Sequence, residues 1–155
     1  MSKIEIENLA PDFILKGSDG ETHKLSDYLG KKVVLYFYPK DNTPGCSTQA
    51  CDFRDSIPTI TNENAVVIGI SKDSLASHDK FIAKFGLPFL LLSDEDKEVC
   101  ALYDVLKEKN MYGRKTIGIE RSTFLIDEKG ILRKEFRKVK VKDHINDVIE
   151  NLKKL

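Results

Sequence analysis

Two cysteines, Cys46 and Cys51, follow Thr43-Pro44-Gly45 where an apolar run gives way to a turn. A thiol is mostly protonated at neutral pH and only the thiolate is a strong nucleophile, so a reactive cysteine needs a local source of positive potential. The spacing supplies one. Thr43 is a favoured N-cap residue, Pro44 suits the first helical position, and Cys46 then falls in the first turn of a helix. There the unsatisfied backbone N–H groups and the helix dipole favour negative charge on sulfur. Nucleophilic attack is the chemistry on offer, from a partly exposed thiol at the C-terminal edge of a sheet. The competing reading is an inert cysteine packed as a small apolar residue.

On one intact helix, five residues correspond to a rise of about 7.5 Å and a turn of about 140°, which sets the Cα atoms of Cys46 and Cys51 roughly 8.7 Å apart. A disulfide cannot close beyond ~7 Å without backbone movement. The pair is therefore no static bridge. Either Cys51 never reacts, or the first helical turns unwind to let it. Cys100, among Val99, Ala101 and Leu102, reads as a packing residue. His23, His78 and His144 show no metal-ligand spacing with one another or with the cysteines, so each reads as a surface or helix-face residue and no metal is expected. Without a Gly-rich phosphate loop or dinucleotide fingerprint, neither a flavin nor a nicotinamide cofactor is expected.

The elements that must position Cys46 follow from pattern. Lys32–Tyr38 is a continuous β-branched and aromatic run, the signature of a strand buried on both faces, and it leads directly into Pro39. A helix from Thr43 to about Ile60 and a second buried strand over Ala65–Ile70 complete a βαβ unit. Upstream, 12–15 and 21–25 around Gly17-Ser18-Asp19-Gly20 read as an N-terminal hairpin, and Ser26-Asp27 starts a short turn ending at Gly30. Downstream come a helix over Ser74–Phe85 stopped by Gly86, with Leu75, His78, Phe81, Ile82 and Phe85 at helical spacing, and a short strand over Phe89–Leu92. A helix over Glu95–Leu106 follows, then a loop or weak strand over Met111–Ile119. Strands at 121–127 and 131–136 form a hairpin, and an amphipathic helix spans Val141–Leu155. The expected fold is α/β and thioredoxin-like, a central mixed sheet flanked by helices with an added N-terminal β-hairpin.

At 155 residues, with 41% hydrophobic and 32% charged residues, the chain is expected to be one globular domain over 1–155. Twenty-five basic against twenty-five acidic residues leave no net field to draw nucleic acid or an anionic membrane. Met1–Pro11 holds no apolar stretch of signal-peptide length and no window approaches a membrane span, so a cytoplasmic location is expected. An odd count of three cysteines argues for thiols kept reduced rather than for a disulfide framework.

Pro39-x-x-x-Thr43-x-x-Cys46 after a hydrophobic strand resembles the active-site signature of the peroxiredoxins. The string from Tyr38 to Cys46, with Cys51 and with Glu120–Asp127 downstream, resembles the bacterioferritin comigratory protein, or Q-type, subfamily over essentially the whole chain. The resemblance implies that Cys46 is the peroxidatic cysteine and Cys51 the resolving cysteine of the same chain. It implies that Thr43 and Arg121 polarise the peroxide and hold the thiolate, and that Pro39 shields the pocket. Hydrogen peroxide or organic hydroperoxides would be substrates, thioredoxin or a similar dithiol the reductant, and the chain a monomer or weak dimer. Gln49 departs from the glutamate of that pattern, and Leu106 stands where an aromatic residue is frequent. Two other readings stay open: a thiol–disulfide oxidoreductase, disfavoured because such sites carry two cysteines separated by two residues, and a non-enzymatic redox sensor switched by a Cys46–Cys51 disulfide.

Overall fold

The computed structural model describes residues 4–155, with only the backbone of Met111. In chain order the elements are β1 (Ile14–Gly17), β2 (Thr22–Lys24), a 3-10 turn (Leu25–Tyr28), β3 (Lys32–Phe37), α1 (Pro44–Asn62), β4 (Ala65–Ser71), α2 (Leu75–Phe85), β5 (Leu90–Ser93), α3 (Glu98–Leu102), β6 (Leu106–Met111), β7 (Arg114–Ile119), β8 (Ser122–Ile126), β9 (Leu132–Phe136) and α4 (His144–Leu152). Seven strands form one mixed sheet in the order β2-β1-β5-β4-β3-β8-β9. β3, β4 and β5 run parallel; β8 pairs with β3 antiparallel, and the N-terminal hairpin adds to the far side through β1 against β5.

All six residues of β3 are buried, and strand alternation divides them between two cores. Val33, Leu35 and Phe37 face a cluster completed by Ala10, Phe13, Val99, Tyr103 and Phe124. Val34 and Tyr36, joined by Tyr38 just beyond the strand, face a second cluster with Phe53 and Ile60 of α1, Phe81 of α2, and Val148 and Leu152 of α4. Burying a side chain such as Phe53 stabilises by roughly 1.5–3 kcal/mol, so α1 is fixed to the sheet mainly through its middle and C-terminal turns. The α/β, thioredoxin-like arrangement expected from the sequence is the one found, with helices on both faces.

Two expectations are corrected. The helix read over Glu95–Leu106 is only Glu98–Leu102. Asp104 adopts a left-handed φ of 55° that stops it, and Leu106 begins a hairpin instead. β6 and β7 pair antiparallel from Leu106↔Ile119 to Met111↔Arg114. Tyr112 and Gly113 turn the chain with φ of 54° and 80°, the two positive values that a two-residue hairpin turn with the right twist requires.

The second correction is to the surface reading of the histidines: His78 and His144 lie on α2 and α4, as the helix-face reading has it, but are buried, 0% and 6% exposed. His144 opens α4 with Nε2 2.9 Å from Thr123 Oγ1 and its ring edge-on to Phe136 at 5.1 Å. Burial, aided by the charge of Arg121 and opposed by Asp147, pushes its pKa from 6.5 down to about 4. Between those values the unfolded chain holds a proton that the folded chain refuses, so stability falls as pH drops through the window and is fully present above it. Urea unfolding at about pH 7 and about pH 4.5 should show wild type losing roughly 2 kcal/mol more than His144→Gln; equal losses would remove His144 from the acid response.

Candidate active site

β3 runs out at Phe37, and Tyr38–Thr43 carries the chain across the C-terminal edge of the sheet to α1. Thr43 takes the extended conformation of an N-cap, φ −98° and ψ 155°, with Pro44 at the first helical position. Its carbonyl accepts the Ser47 amide at 2.8 Å. Its hydroxyl does not cap the helix: it donates to Lys40 O at 2.8 Å. The first-turn N–H groups around Cys46 are therefore left unquenched by that side chain. Pro39 lies half-buried in the same loop.

Cys46 is only 2% exposed, against the partly exposed position expected from its place in the first turn. It packs with Tyr36, Ala50 and Phe53, because a cysteine on the inner side of α1 faces the sheet and not the solvent. Arg121, immediately before β8, reaches over it. Nη2 donates to Cys46 Sγ at 3.3 Å, and Nη1 donates to Gln49 Oε1 at 2.6 Å. The forked guanidinium thus ties the sulfur to the next turn of its own helix. Gly45 makes room for it: a Cβ there would sit 3.2 Å from Arg121 Nη2.

Cys51 does not meet Cys46. It is half-buried, further along an unbroken α1, and all three cysteines are free thiols. Cys100 is fully buried, and burial, with Asp94 beside it, pushes its thiol well above the ordinary range, which fits packing. The structure therefore brings together Cys46, Arg121 and Gln49, with Thr43 and Pro39 in the loop leading to them.

Among the described residues, two buried side-chain polar atoms lack a hydrogen-bond partner, Tyr36 Oη and Gln49 Nε2. Tyr36 packs in the same buried cluster as Cys46, and Gln49 holds Arg121 through its other amide atom, Oε1. Burial, then the charges of Cys46 and Asp41, keep the Tyr36 phenol protonated well beyond its usual range. The guanidinium on the sulfur can hold an oxygen that gains negative charge. Sequence reasoning missed two further residues. Asp41 accepts a hydrogen bond from Tyr38 Oη at 2.6 Å, and His78 Nδ1 lies 2.7 Å from its other oxygen. The helical spacing that sets His78 beside Leu75, Phe81, Ile82 and Phe85 was the signal that could have found the pair.

A buried cysteine at the first turn of the helix that follows a central parallel strand, under an arginine, defines a thiol-redox site on a thioredoxin-like fold. The family model described as AhpC/TSA family matches residues 6–135. Peroxiredoxin Bcp of Bacillus subtilis is 57% identical over 150 residues, covering 97% of this chain and 96% of that protein. A cysteine-to-serine mutant of Xylella fastidiosa PrxQ superposes with a TM-score of 0.93 at 44% identity, covering 99% and 98% of the two chains. Xanthomonas campestris bacterioferritin comigratory protein, solved in intermediate and ligand complexes bearing on its alkyl peroxide reduction activity, superposes with a TM-score of 0.88 at 45% identity over 92% and 90%. The chain belongs to the AhpC/TSA family and, within it, to the peroxiredoxins of the bacterioferritin comigratory protein, or Q, type. No helix among the described residues is long and apolar enough to cross a membrane.

The contact at Gly45 is testable. Gly45→Ala must displace the guanidinium by a few tenths of an ångström, while alanine favours the helix by about 1 kcal/mol over glycine. We expect thermal stability to hold or rise while the rate of peroxide reaction, followed by stopped-flow, falls several-fold. An unchanged rate would show that the Arg121–sulfur bond is not needed at that distance.

Proposed function

We propose that this thiol peroxidase reduces hydrogen peroxide and organic hydroperoxides through Cys46. The thiolate attacks one peroxide oxygen in line with the O–O bond. That oxygen stays on sulfur as a sulfenic acid, while the other leaves as hydroxide or alkoxide and takes up a proton to give water or an alcohol. Arg121 holds the sulfur and meets the charge that grows on the departing oxygen. The observation that carries this reading is the Arg121 Nη2 bond to Cys46 Sγ at 3.3 Å. Thr43 orders the loop through Lys40 and helps to polarise the peroxide, and Pro39 shields the pocket from water.

Cys51 is the resolving residue in this reading. Its thiol attacks the sulfenic sulfur, an S–S bond forms, and the hydroxyl leaves as water. The intact helix forbids this at the distance set by five residues, so the first turns of α1 unwind during each cycle. A dithiol such as thioredoxin then reduces the disulfide by exchange and is itself oxidised. The Xanthomonas relative's alkyl peroxide reduction activity supports organic hydroperoxides as substrates here. The reading is completed by a cytoplasmic enzyme, monomeric or weakly dimeric, acting as one thioredoxin-like unit.

Peroxide consumption with thioredoxin and its reductase should be sustained in wild type and abolished in Cys46→Ser. Cys51→Ser should still react once and then accumulate oxidised Cys46. Sustained turnover by Cys46→Ser would overturn the assignment of the nucleophile, and a free Cys51 in peroxide-treated wild type would overturn the resolving role. Arg121→Lys keeps the charge but loses the fork, and should slow peroxide attack by at least about tenfold; a rate near wild type would take Arg121 out of the site.

A further inference from the structure

The loop that delivers Cys46 to α1 is held from behind by a buried cluster that the peroxide chemistry does not use. Asp41 and His78, with side chains 3% and 0% exposed, meet at 2.7 Å. His78 Nε2 lies 3.0 Å from Leu92 O, and a carbonyl oxygen only accepts, so Nε2 carries a hydrogen. Asp41 already receives the Tyr38 hydroxyl on one oxygen at 2.6 Å and the Ser77 hydroxyl on the other at 2.8 Å. Both Asp41 oxygens therefore act as acceptors here. With an acceptor at each ring nitrogen, the geometry favours the imidazolium, the form that donates from both.

The charged groups around this ring agree. Asp73 faces it from the turn after β4, and its carboxylate also takes the Asp41 amide at 2.8 Å. From α2, Lys84 holds Asn42 Oδ1 at 3.0 Å. Burial pushes the His78 pKa down, but the hydrogen bond to Asp41 and the charges of Asp41 and Asp73, with Leu92 O, outweigh it, and the net shift is upward.

The turn that this cluster anchors is weak in itself. It runs Pro44-Gly45-Cys46-Ser47-Thr48, with few good helix formers, and Thr48 bonds its hydroxyl back to Pro44 O at 3.0 Å, an alternative to regular helix bonding. Its upstream end is fixed through the loop, while Cys46 itself is held by Arg121.

We infer that His78, as a buried imidazolium paired with Asp41, is a positioning residue that sets how readily the first turn of α1 unwinds, and so divides the catalytic cycle between peroxide attack and disulfide formation. This rests on the Cys46–Cys51 reading above. With the pair intact, Cys46 stays beneath Arg121. With it broken, the loop slackens and Cys51 reaches the oxidised sulfur sooner. The pair is complete at low pH. As pH rises through the elevated His78 value, one ring N–H is lost, either Asp41 or Leu92 O loses its donor, and the folded turn loses that support.

Two measurements on the full chain test the inference. Nitrogen-15 NMR of the reduced wild type should show both His78 ring nitrogens protonated at about pH 6 and the ring losing its proton above the ordinary histidine range; a single neutral tautomer at that pH would overturn it. Stopped-flow with hydrogen peroxide should then resolve attack from disulfide formation in wild type, His78→Gln and Asp41→Asn. We expect the ratio of disulfide formation to attack to rise about tenfold in both variants, with the wild-type ratio climbing towards theirs as pH is raised. An unchanged ratio in folded variants would overturn the positioning role. Wild type that left Cys51 free after oxidation would instead overturn the resolving reading on which the kinetic role rests, without touching the NMR result.

Discussion

The site depends on one contact between distant parts of the chain, the Arg121 guanidinium on the Cys46 sulfur. Strand register makes that contact. β8 pairs with β3 so that Ser122 faces Phe37, which leaves Arg121 at the point where β3 releases the chain towards α1. A slip of one residue would turn every side chain of β8 to the opposite face, and Phe124 and Leu125, both 0% exposed, sit in different cores that forbid it. The hydrophobic pattern of a strand thus aims a cation at a sulfur.

The same geometry sets a conflict inside α1. Peroxide attack needs the first turn folded, since only then do the N–H groups and Arg121 converge on sulfur. Disulfide formation with Cys51, as proposed, needs it unfolded. The helix accommodates both by being uneven. Phe53 and Ile60, 1% and 0% exposed, hold its later turns to the sheet, whereas the first turn carries Gly45, Ser47 and Thr48 and leans on the loop before it. In the proposed cycle, unwinding the first turn would leave Phe53, Ile60 and the core they pack into in place.

Much of this was legible in the sequence. Continuous apolar runs marked β3 and β4, and Thr43-Pro44 marked the start of α1 within a residue. What escaped has physical reasons. The β6–β7 hairpin carries Lys107, Glu108 and Lys109 on one strand and Arg114, Lys115 and Thr116 on the other, mostly exposed on both faces, so no alternation announces it. The burial of Cys46 depends on Arg121 folding over it from far along the chain. Thr43 has the right residue type for a side-chain cap, but Lys40 O offers its hydroxyl a better-placed acceptor. Histidines 78 and 144 are polar by composition and buried by partnership, and those partners, Asp41 and Thr123, come from other elements.

Gln49 shows how a single departure from the family pattern changes the electrostatics. A glutamate there would pair with Arg121 as an ion and draw part of its charge away from sulfur. The amide orients the same guanidinium nitrogen, at 2.6 Å, without a charge of its own, so the arginine's positive field falls on Cys46 more fully. The cost lies in Nε2, buried without a partner, where an unsatisfied donor costs about 1–3 kcal/mol.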